Sequence, residues 1–458
     1  LVNKMKLGAR IEAYGNNPVA ARNCGINTVK IVIFCYAITG ALAWAAGMLE
    51  AVVVSSAHPS TIGTDMEIDA IAATLIGGTP ISEHHRNRMW YVCASADYYD
   101  VQYEQRILSG NSDVEGLHCS GGSVFPRNRK ALKIRRETNM NKAKSFFSNN
   151  IALVGLLIVL LVGVCVQRTF VSPENLTNLL RSASLMGFIG IGMTFVVLCG
   201  SIDLSVASVF ALSGYLMLNL SQYNIVLAFV VPLLAGAVVG LVNGLLVEKL
   251  SIPAFIATLA TQMFVRGLVQ MFCDQTTYKV ASIPFPVLAL GRLTFSNIVP
   301  LPLILFIIAT LIAAYVLNRR FIGRSMYIVG GNLEAANMMG VSVPKTMITA
   351  HVICSVLTCI GGMIYPSRVG VASPLAGTGY EMYAIAAVVL GGAKLTGGVG
   401  KVSGTFIGTL IMSSFSNIFS MQNVLSAVWS DVVVGSVLLI VIMAQAVVSI
   451  YSKGKKKV

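Results

Sequence analysis

Residues 225–247 read IVLAFVVPLLAGAVVGLVNGLLV and contain no charged side chain. At about 1.5 Å of rise per residue, a helix of this length crosses the roughly 30 Å hydrocarbon core of a bilayer. Only helices and closed barrels satisfy every backbone polar group inside lipid, and a long apolar run without alternation indicates the helix. This stretch therefore predicts a transmembrane helix.

Similar apolar runs recur through the chain after residue 140. They cover 151–166, 182–199, 205–220, 254–272, 298–317, 346–365, 382–392, 402–419 and 432–450. Several are shorter than the roughly 20 residues that a full crossing needs, so we expect some helices to be tilted, broken or re-entrant. The predicted fold is all-α, a polytopic transmembrane helical bundle with eight to ten spans in residues 140–458.

The composition excludes two broad classes of protein. Of 458 residues, 11% are charged and 55% are hydrophobic, and the mean hydropathy is +0.75. Soluble domains carry about 25% charged residues, so a soluble enzyme and a nucleic-acid-binding domain are both excluded. The net charge of +14 reports membrane topology, because Lys and Arg lie in short loops and tails between the apolar runs.

Basic residues mark the side of the membrane on which the loops lie. They cluster at Lys142 and Lys144, at Arg319, Arg320 and Arg324, and at Lys453, Lys455, Lys456 and Lys457. The positive-inside rule places all three clusters in the cytoplasm. Both ends of residues 140–458 are then cytoplasmic, which requires an even number of crossings. Residues 140–150 run straight into an apolar helix and are typical of neither a transit peptide nor a cleaved signal.

The chain contains an internal repeat. GNNPVAARNCGI at 15–26 matches GGNLEAANMMGV at 330–341, and residues 63–73 match 377–387 after a one-residue shift. The match ends just after Gly77 and Gly78, which correspond to Gly391 and Gly392. We therefore interpret residues 1–82 as a truncated second copy of the C-terminal part of residues 140–458.

Residues 83–139 continue neither copy. They hold three of the five histidines and a cluster of tyrosines, and they lack helical or strand periodicity. One interpretation is an extramembrane linker. The other is an out-of-frame translation, because RNRMWY at 86–91 can be encoded so that a one-base shift gives a glycine-rich segment like the one after Gly392. On the second interpretation, Met140 is the natural start of an intact protein.

Cysteine and glycine patterns argue against metal binding and ATP hydrolysis by this chain. The nine cysteines show no CxxC spacing and lie mostly within apolar segments, as small core residues do. A zinc site built from Cys93, Cys119, His84, His85 and His118 lacks the spacing of a zinc finger. The sequence also lacks the GxxxxGK[ST] motif of phosphate-binding loops. We therefore expect neither a metal site nor a cofactor bound by this chain.

Three segments after residue 140 resemble one known family. GMTFVVLCGSIDLSVAS at 192–208, IPAFIATLA at 252–260 and GGNLEAANMMG at 330–340 are similar to the permease subunits of ribose- and galactose-type ABC importers. The similarity extends over nearly all of residues 140–458, and residues 1–82 resemble a sister permease. Two adjacent, non-identical permeases resemble the galactofuranose-type arrangement, in which the two pair as a heterodimer.

The resemblance implies a transport subunit rather than an enzyme. Such a permease moves a monosaccharide into the cytoplasm by alternating access across the bacterial inner membrane. ATP and Mg²⁺ bind to a separate ATPase subunit, a periplasmic or extracellular sugar-binding protein delivers the cargo, and a second permease completes a homo- or heterodimer in the lipid bilayer. The alternative is an ion- or proton-coupled secondary sugar transporter. It is weaker because the spans hold few acids beyond Asp203, Glu381 and Asp431.

Asp203 lies between two apolar runs, where an unpaired carboxylate costs several kcal/mol. One interpretation is a helix cap, in which the carboxylate accepts N–H groups of Ser205 or Val206 at the start of a helix beginning at Leu204. The other is a broken helix beside the translocation path. The two interpretations are compatible.

Six more polar side chains inside the spans could line a sugar-sized passage. They are Asn243, Thr258, Thr261, Gln262, Arg266 and Gln270. Thr258, Gln262 and Arg266 recur every four residues and therefore share one helix face. Such side chains replace the hydrogen bonds that sugar hydroxyls lose on leaving water, and they also stitch transmembrane helices together. The predicted substrate pathway consists of Asp203, Asn243, Thr258, Gln262 and Arg266.

The loop from Arg319 to Lys345 is cytoplasmic by its charges and predicts a short Ala-rich helix that stops at a glycine. By resemblance this is the coupling helix seated in a groove of the ATPase subunit, and the alternative is an ordinary connecting helix. The residues assigned to ATPase coupling are Gly331, Asn332, Glu334, Ala335, Ala336 and Gly340.

Gly400, Gly404 and Gly408 stand four residues apart and predict a smooth stripe on one helix face. Such a stripe lets two helix backbones approach closely. Either a contact between two permeases or packing inside one permease fits this pattern.

Overall fold

The computed structural model describes residues 6–54, 66, 70, 151–274, 276–295, 298–421, 432, 435, 436, 439 and 443. The chain divides into two compact units, Leu1–Arg86 and Asn87–Val458. Several predictions lie outside the described residues. They are the linker or out-of-frame segment 83–139 with its zinc alternative, the start at Met140, the basic clusters at 142–144 and 453–457, and most of segments 63–82 and 432–450.

The described part of the first unit contains helices α1 (Lys6–Asn16), α2 (Pro18–Asn23) and α3 (Thr28–Val54). Asn17 caps α2, because its Oδ1 accepts hydrogen bonds from two backbone N–H groups at the start of that helix. The left-handed Gly25, with φ of 77°, follows α2 and turns the chain toward α3.

The second unit is built almost entirely from helices. In chain order they are α4 (Ile151–Val166), α5 (Pro173–Leu198), α6 (Val206–Ser221), α7 (Ile225–Glu248), α8 (Ala254–Phe272), α9 (Phe285–Arg292), α10 (Leu301–Arg319), α11 (Phe321–Gly331), α12 (Leu333–Met338), α13 (Val343–Val369), α14 (Tyr380–Leu390) and α15 (Val402–Ser420). Two antiparallel pairs of short strands join its loops. They are β1 (Tyr278–Lys279) with β4 (Val371–Ala372), and β2 (Thr294–Phe295) with β3 (Val299–Pro300).

Seven helices of the described chain are long and apolar enough to cross a membrane. They are α3 in the first unit and α5, α7, α8, α10, α13 and α15 in the second, while α4, α6 and α14 are apolar but shorter. The predicted polytopic helical fold is therefore confirmed. The short helices α6 and α14 follow non-helical stretches at 199–205 and 373–379, where the chain is broken as the short apolar runs predict.

Helix α13 packs against α5, α6 and α7, and glycines on α7 allow a close approach to it. A Cβ on Gly240 would lie 2.6 Å from the carbonyl oxygen of His351, and one on Gly244 would lie 2.6 Å from the Cα of Ile348. Lipid tails are as apolar as the helix surfaces, so membrane helices associate largely through close packing of this kind. The α7–α13 contact therefore depends on these glycines.

We expect Gly240→Ala to lower the melting temperature of the purified protein in detergent. The added methyl group forces α7 away from α13, and overpacking of this kind costs about 1–3 kcal/mol. The matched control is Gly267→Ala on α8, where a Cβ has no neighbour within 4 Å. Equal melting temperatures for the two variants would contradict the packing described here.

The two copies of the repeat share their local structure. Asn332 caps α12 as Asn17 caps α2, with Oδ1 accepting two backbone N–H groups in each case. Gly340, with φ of 72°, follows α12 as Gly25 follows α2. The helix, short helix and long helix of α1–α3 thus recur as α11–α13.

Candidate functional site

The chain between α5 and α6 is a non-helical segment inside the bundle, and we call residues 199–205 the crossover segment. It contains the left-handed Gly200, with φ of 77°, and it ends at Val206, where α6 begins. Its Asp203 is fully buried. Helix α6 therefore starts two residues later than the predicted start at Leu204, because the intervening residues wrap around the carboxylate.

Asp203 accepts hydrogen bonds from its own segment and from α7. Its Oδ1 lies 3.0 Å from the backbone nitrogen of Ser205 and 2.6 Å from the Ser205 Oγ, and both groups donate to it. The Nδ2 of Asn243 donates to the same oxygen at 3.4 Å. The Ser205 N–H is one of the two capping partners that the sequence predicts.

The other oxygen of the Asp203 carboxylate faces His351 on α13, a residue that the sequence patterns did not single out. Asp203 Oδ2 lies 3.3 Å from His351 Nδ1, and His351 Nε2 lies 3.2 Å from the Oγ of Ser201. With the proton assigned to Nδ1, the ring donates to Asp203 and accepts from the Ser201 hydroxyl. Both Asp203 and His351 are fully buried. The imidazole thus supplies a partner to a carboxylate that is otherwise costly to bury.

His351 can be identified from the sequence as a candidate functional residue. It is the one histidine in the apolar run 346–365, and an ionisable side chain inside a membrane span marks a functional site by default. Its partner lies 148 residues away in the chain. The pairing itself therefore follows only from the fold.

Two more predicted pathway residues, Asn243 and Thr258, join the same cluster. Asn243 Nδ2 donates to the Oγ of Ser205 at 2.8 Å, and Thr258 Oγ1 accepts from the Leu204 N–H at 3.1 Å. Both side chains are fully buried. Within the described residues, Asn243 Oδ1 has no hydrogen-bond partner. We call Ser201, Asp203, Ser205, Asn243, Thr258 and His351 the polar cluster.

The remaining predicted pathway residues lie farther along α8, outside the polar cluster. Arg266 Nη1 donates to the carbonyl oxygens of Pro374 and Ala376, at 2.5 Å and 2.9 Å. Arg266 thereby holds the non-helical stretch 373–379 that precedes α14. Gln262 lies between Thr258 and Arg266, and its buried Oε1 makes no hydrogen bond to the described residues.

The residues assigned to ATPase coupling form one compact structure. Asn332 caps α12 through bonds of 2.9 Å and 3.0 Å from the N–H groups of Glu334 and Ala335. Ala336 is fully buried, and Gly340 follows the helix end. Glu334 and Gly331 are exposed.

Helix α12 also exposes apolar side chains that the sequence patterns did not predict. Leu333, Met338 and the following Met339 are 47%, 89% and 65% exposed. Exposed apolar surface of this kind often marks a binding site for a partner, and flexible methionines fit irregular grooves.

The three glycines of the predicted stripe do not lie on one helix face in the structure. Gly400 precedes α15, which begins at Val402, so it does not share a helix face with the other two. A Cβ on Gly404 would collide with the Gly391 carbonyl oxygen, and one on Gly408 would collide with the carbonyl oxygen of Ala387. These two glycines therefore face the end of α14 within the same chain.

Known protein sequences match residues in both units of the chain. The family described as branched-chain amino acid transport system, permease component, matches residues 1–94 and 175–442. A ribose import permease protein of Haemophilus influenzae is 32% identical over 317 residues, which cover 68% of this chain and 97% of that protein. The ribose import permease protein of Bacillus subtilis is 38% identical over 292 residues, covering 63% and 90%.

A xylose transport system permease protein of Escherichia coli is 31% identical over 334 residues, which cover 60% of this chain and 85% of that protein. No solved structure matches the chain at a significant level.

Proposed function

The chain belongs to the permease-component family named for branched-chain amino acid transport systems, and from this premise we propose that it is the membrane subunit of an ATP-driven importer of a monosaccharide. Relatives named for ribose and xylose transport support a sugar as cargo. Members of this family are transport components, so the chain is not an enzyme. These relatives do not favour the secondary transporter considered above.

The observation that carries this proposal is the structure of α12. This helix is capped by Asn332, is held by the buried Ala336, and exposes Met338 and Met339. Arg319 and its basic neighbours place the loop on the cytoplasmic side by the positive-inside rule. A short, capped helix with an exposed apolar end suits docking to a cytoplasmic ATPase, whose own site binds ATP and Mg²⁺.

We expect Glu334→Arg to reduce co-purification of the ATPase subunit with this chain roughly tenfold or more, equivalent to about 1.4 kcal/mol. Glu334 is exposed in the first turn of α12, where a negative charge is favourable and a positive one is repelled by the helix dipole. The measurement is pull-down from detergent-solubilised membranes, followed by ATP-dependent uptake in liposomes.

Glu174→Arg is the matched control for this experiment. Glu174 is also an exposed acid in the first turn of a helix, but it lies at the start of α5, remote from α12 in the chain. We expect this control to keep both ATPase binding and uptake. If Glu334→Arg keeps them as well, the assignment of α12 to coupling is wrong.

We also propose that the sugar passage follows the face of α8 that carries Thr258, Gln262 and Arg266. The polar cluster around Asp203 borders one end of this face, and the loop held by Arg266 borders the other. The buried Oε1 of Gln262, which has no partner among the described side chains and backbone groups, offers an acceptor to a sugar hydroxyl. Neutral hydroxyl and amide partners suit a neutral, hydroxyl-rich cargo.

The remaining parts of the proposed assembly follow from the family and from the repeat. We propose a bacterial inner-membrane location with both ends of residues 140–458 in the cytoplasm, delivery of cargo by a sugar-binding protein, and pairing with a second permease. We further propose that the first unit derives from a sister permease, as in the galactofuranose-type arrangement. The family match to residues 1–94 and the shared capping of α2 and α12 support this last point.

A further inference from the structure

The structure that surrounds α12 meets the crossover segment, and Leu198 directly before it, at two places. We call residues 321–351 the coupling unit, which comprises α11, α12 and the start of α13. Gly330, before α12, lies against the Leu198 carbonyl oxygen, and His351, after α12, contacts Ser201 and Asp203. The coupling unit thus meets this part of the chain on both sides of the proposed docking helix.

The first contact is made between backbones alone. The N–H of Gly398 donates to the carbonyl oxygen of Leu198 at 2.9 Å, directly before the crossover segment. A Cβ on Gly330, near the end of α11, would collide with that oxygen and would lie 2.7 Å from the Gly398 nitrogen. A Cβ on Gly397 would lie 2.8 Å from the Gly200 nitrogen. We call this meeting of three backbones the glycine junction.

The second contact is made by His351. Its ring touches Ser201 at 3.2 Å and Asp203 at 3.3 Å, so it reaches two residues of the crossover segment at once. His351 lies on α13, which begins at Val343, shortly after α12 ends. A shift of the start of α13 therefore acts directly on the Asp203 carboxylate.

Hydrogen bonds join parts of the coupling unit to each other and to the loop before α15. Thr346 Oγ1 on α13 donates to Ser325 Oγ on α11 at 3.3 Å, and the Tyr327 hydroxyl of α11 donates to the Gly400 carbonyl oxygen at 2.9 Å. Burial raises the pKa of Tyr327, so its hydroxyl keeps the proton that this bond uses. The Thr346 bond joins α11 to α13 on either side of α12, and the Tyr327 bond joins α11 to the loop before α15.

We propose that the crossover segment transmits the movement of α12 to the sugar passage, with Gly330 and His351 as positioning residues. This inference rests on the proposed function. Backbones in direct contact transmit small displacements, because no side chain between them can rotate or yield. The segment that receives the displacement is non-helical, and a few residues of this kind absorb the dihedral changes of hinge movements. Neither positioning residue is placed in the passage itself.

The test is the ratio of sugar uptake to ATP hydrolysis. The full chain is reconstituted in liposomes with its ATPase and sugar-binding protein, and uptake of labelled ribose or xylose is measured beside phosphate release. We expect Gly330→Ala to keep ATPase binding and ATP hydrolysis but to lower uptake per ATP by about tenfold, within the usual range of coupling energies. Gly267→Ala, which adds a methyl group into open space, is expected to keep the normal ratio.

A second pair of variants tests the other contact. His351→Ala removes both bonds to the crossover segment and is expected to lower uptake per ATP to the same extent. His351→Asn keeps a donor near the position of Nδ1 and is expected to restore most of the ratio, because the bond to Asp203 returns. A residue that only supports folding would change the yield of the complex and leave the ratio in the surviving complex unchanged.

The outcomes separate this inference from the proposed function. If the unaltered chain shows no ATP-driven uptake, the proposed function fails. If it transports and Gly330→Ala also transports with the normal ratio, the inference is overturned while the function stands. If Gly330→Ala fails to fold, the test rests on His351→Ala and His351→Asn. A normal ratio of uptake to ATP hydrolysis in His351→Ala then overturns the inference.

Discussion

Sugar uptake is expected to fall at least about 100-fold in Asp203→Ala, equivalent to roughly 3 kcal/mol. The substitution removes the acceptor of the Ser205 N–H and hydroxyl and leaves His351 buried beside a void. A buried polar group that loses its hydrogen-bond partner costs about 1–3 kcal/mol, and this substitution removes the shared acceptor of several such groups. The yield of folded protein is therefore expected to fall as well.

Asp203→Asn and Ser208→Ala complete this experiment. Asp203→Asn keeps the shape of the side chain but loses the charge, so it is expected to fold better than Asp203→Ala while uptake stays low. Ser208 is also fully buried, but its hydroxyl donates only to the Ser205 carbonyl oxygen one turn back. Ser208→Ala should therefore transport nearly normally. Normal uptake in Asp203→Ala, at matched protein levels, would remove Asp203 from the proposed pathway.

Arg266→Leu is expected to lower uptake by about tenfold to 100-fold, which corresponds to roughly 1.4–2.8 kcal/mol. The guanidinium group bonds the carbonyl oxygens of Pro374 and Ala376, and this holds the non-helical stretch before α14 in place. Hydrogen bonds from a charged donor are worth about 1.5–3 kcal/mol each when a partner is left unpaired. Leucine leaves both carbonyl groups without their donor.

Thr261→Val is the matched control on the same helix. The Thr261 hydroxyl donates to the Ala257 carbonyl oxygen of its own helix, so its loss leaves the neighbouring segments unchanged. Arg266→Lys keeps the charge but loses the planar group that serves two acceptors. Its sugar uptake is therefore expected to lie between that of the parent and that of Arg266→Leu. Uptake measured in liposomes at equal protein content distinguishes these cases. Parent-like uptake in Arg266→Leu would exclude this contact from the transport cycle.

The polar residues show which parts of the site follow from sequence. Asp203 and Thr258 stand out because a polar side chain in an apolar run is visible locally. His351 is just as visible, but its role depends on Ser201 and Asp203, which lie about 150 residues away. The four-residue spacing of Thr258, Gln262 and Arg266 predicts a shared face and leaves open what that face meets.

The glycines likewise divide into those whose role follows from the sequence and those whose contacts follow only from the fold. Gly340 is recognisable as a helix stop because only the local chain conformation matters there. Gly404 and Gly408 lie against α14, and Gly330 lies against Leu198 and Gly398. Spacing within one helix says nothing about which backbone approaches it. Those contacts belong to the tertiary structure.

The sequence by itself determined the membrane-spanning helices, the basic loop at Arg319, the repeat and the short helix α12 with its glycine stop. Each of these depends on residues that are close together in the chain: the hydropathy of a continuous run, a charge beside it, a matching order of residues, or a glycine at a helix end. Only the tertiary structure decided the pairing of Asp203 with His351 and the glycine junction at Gly330. These contacts join residues far apart in the chain, and helix packing alone brings them together.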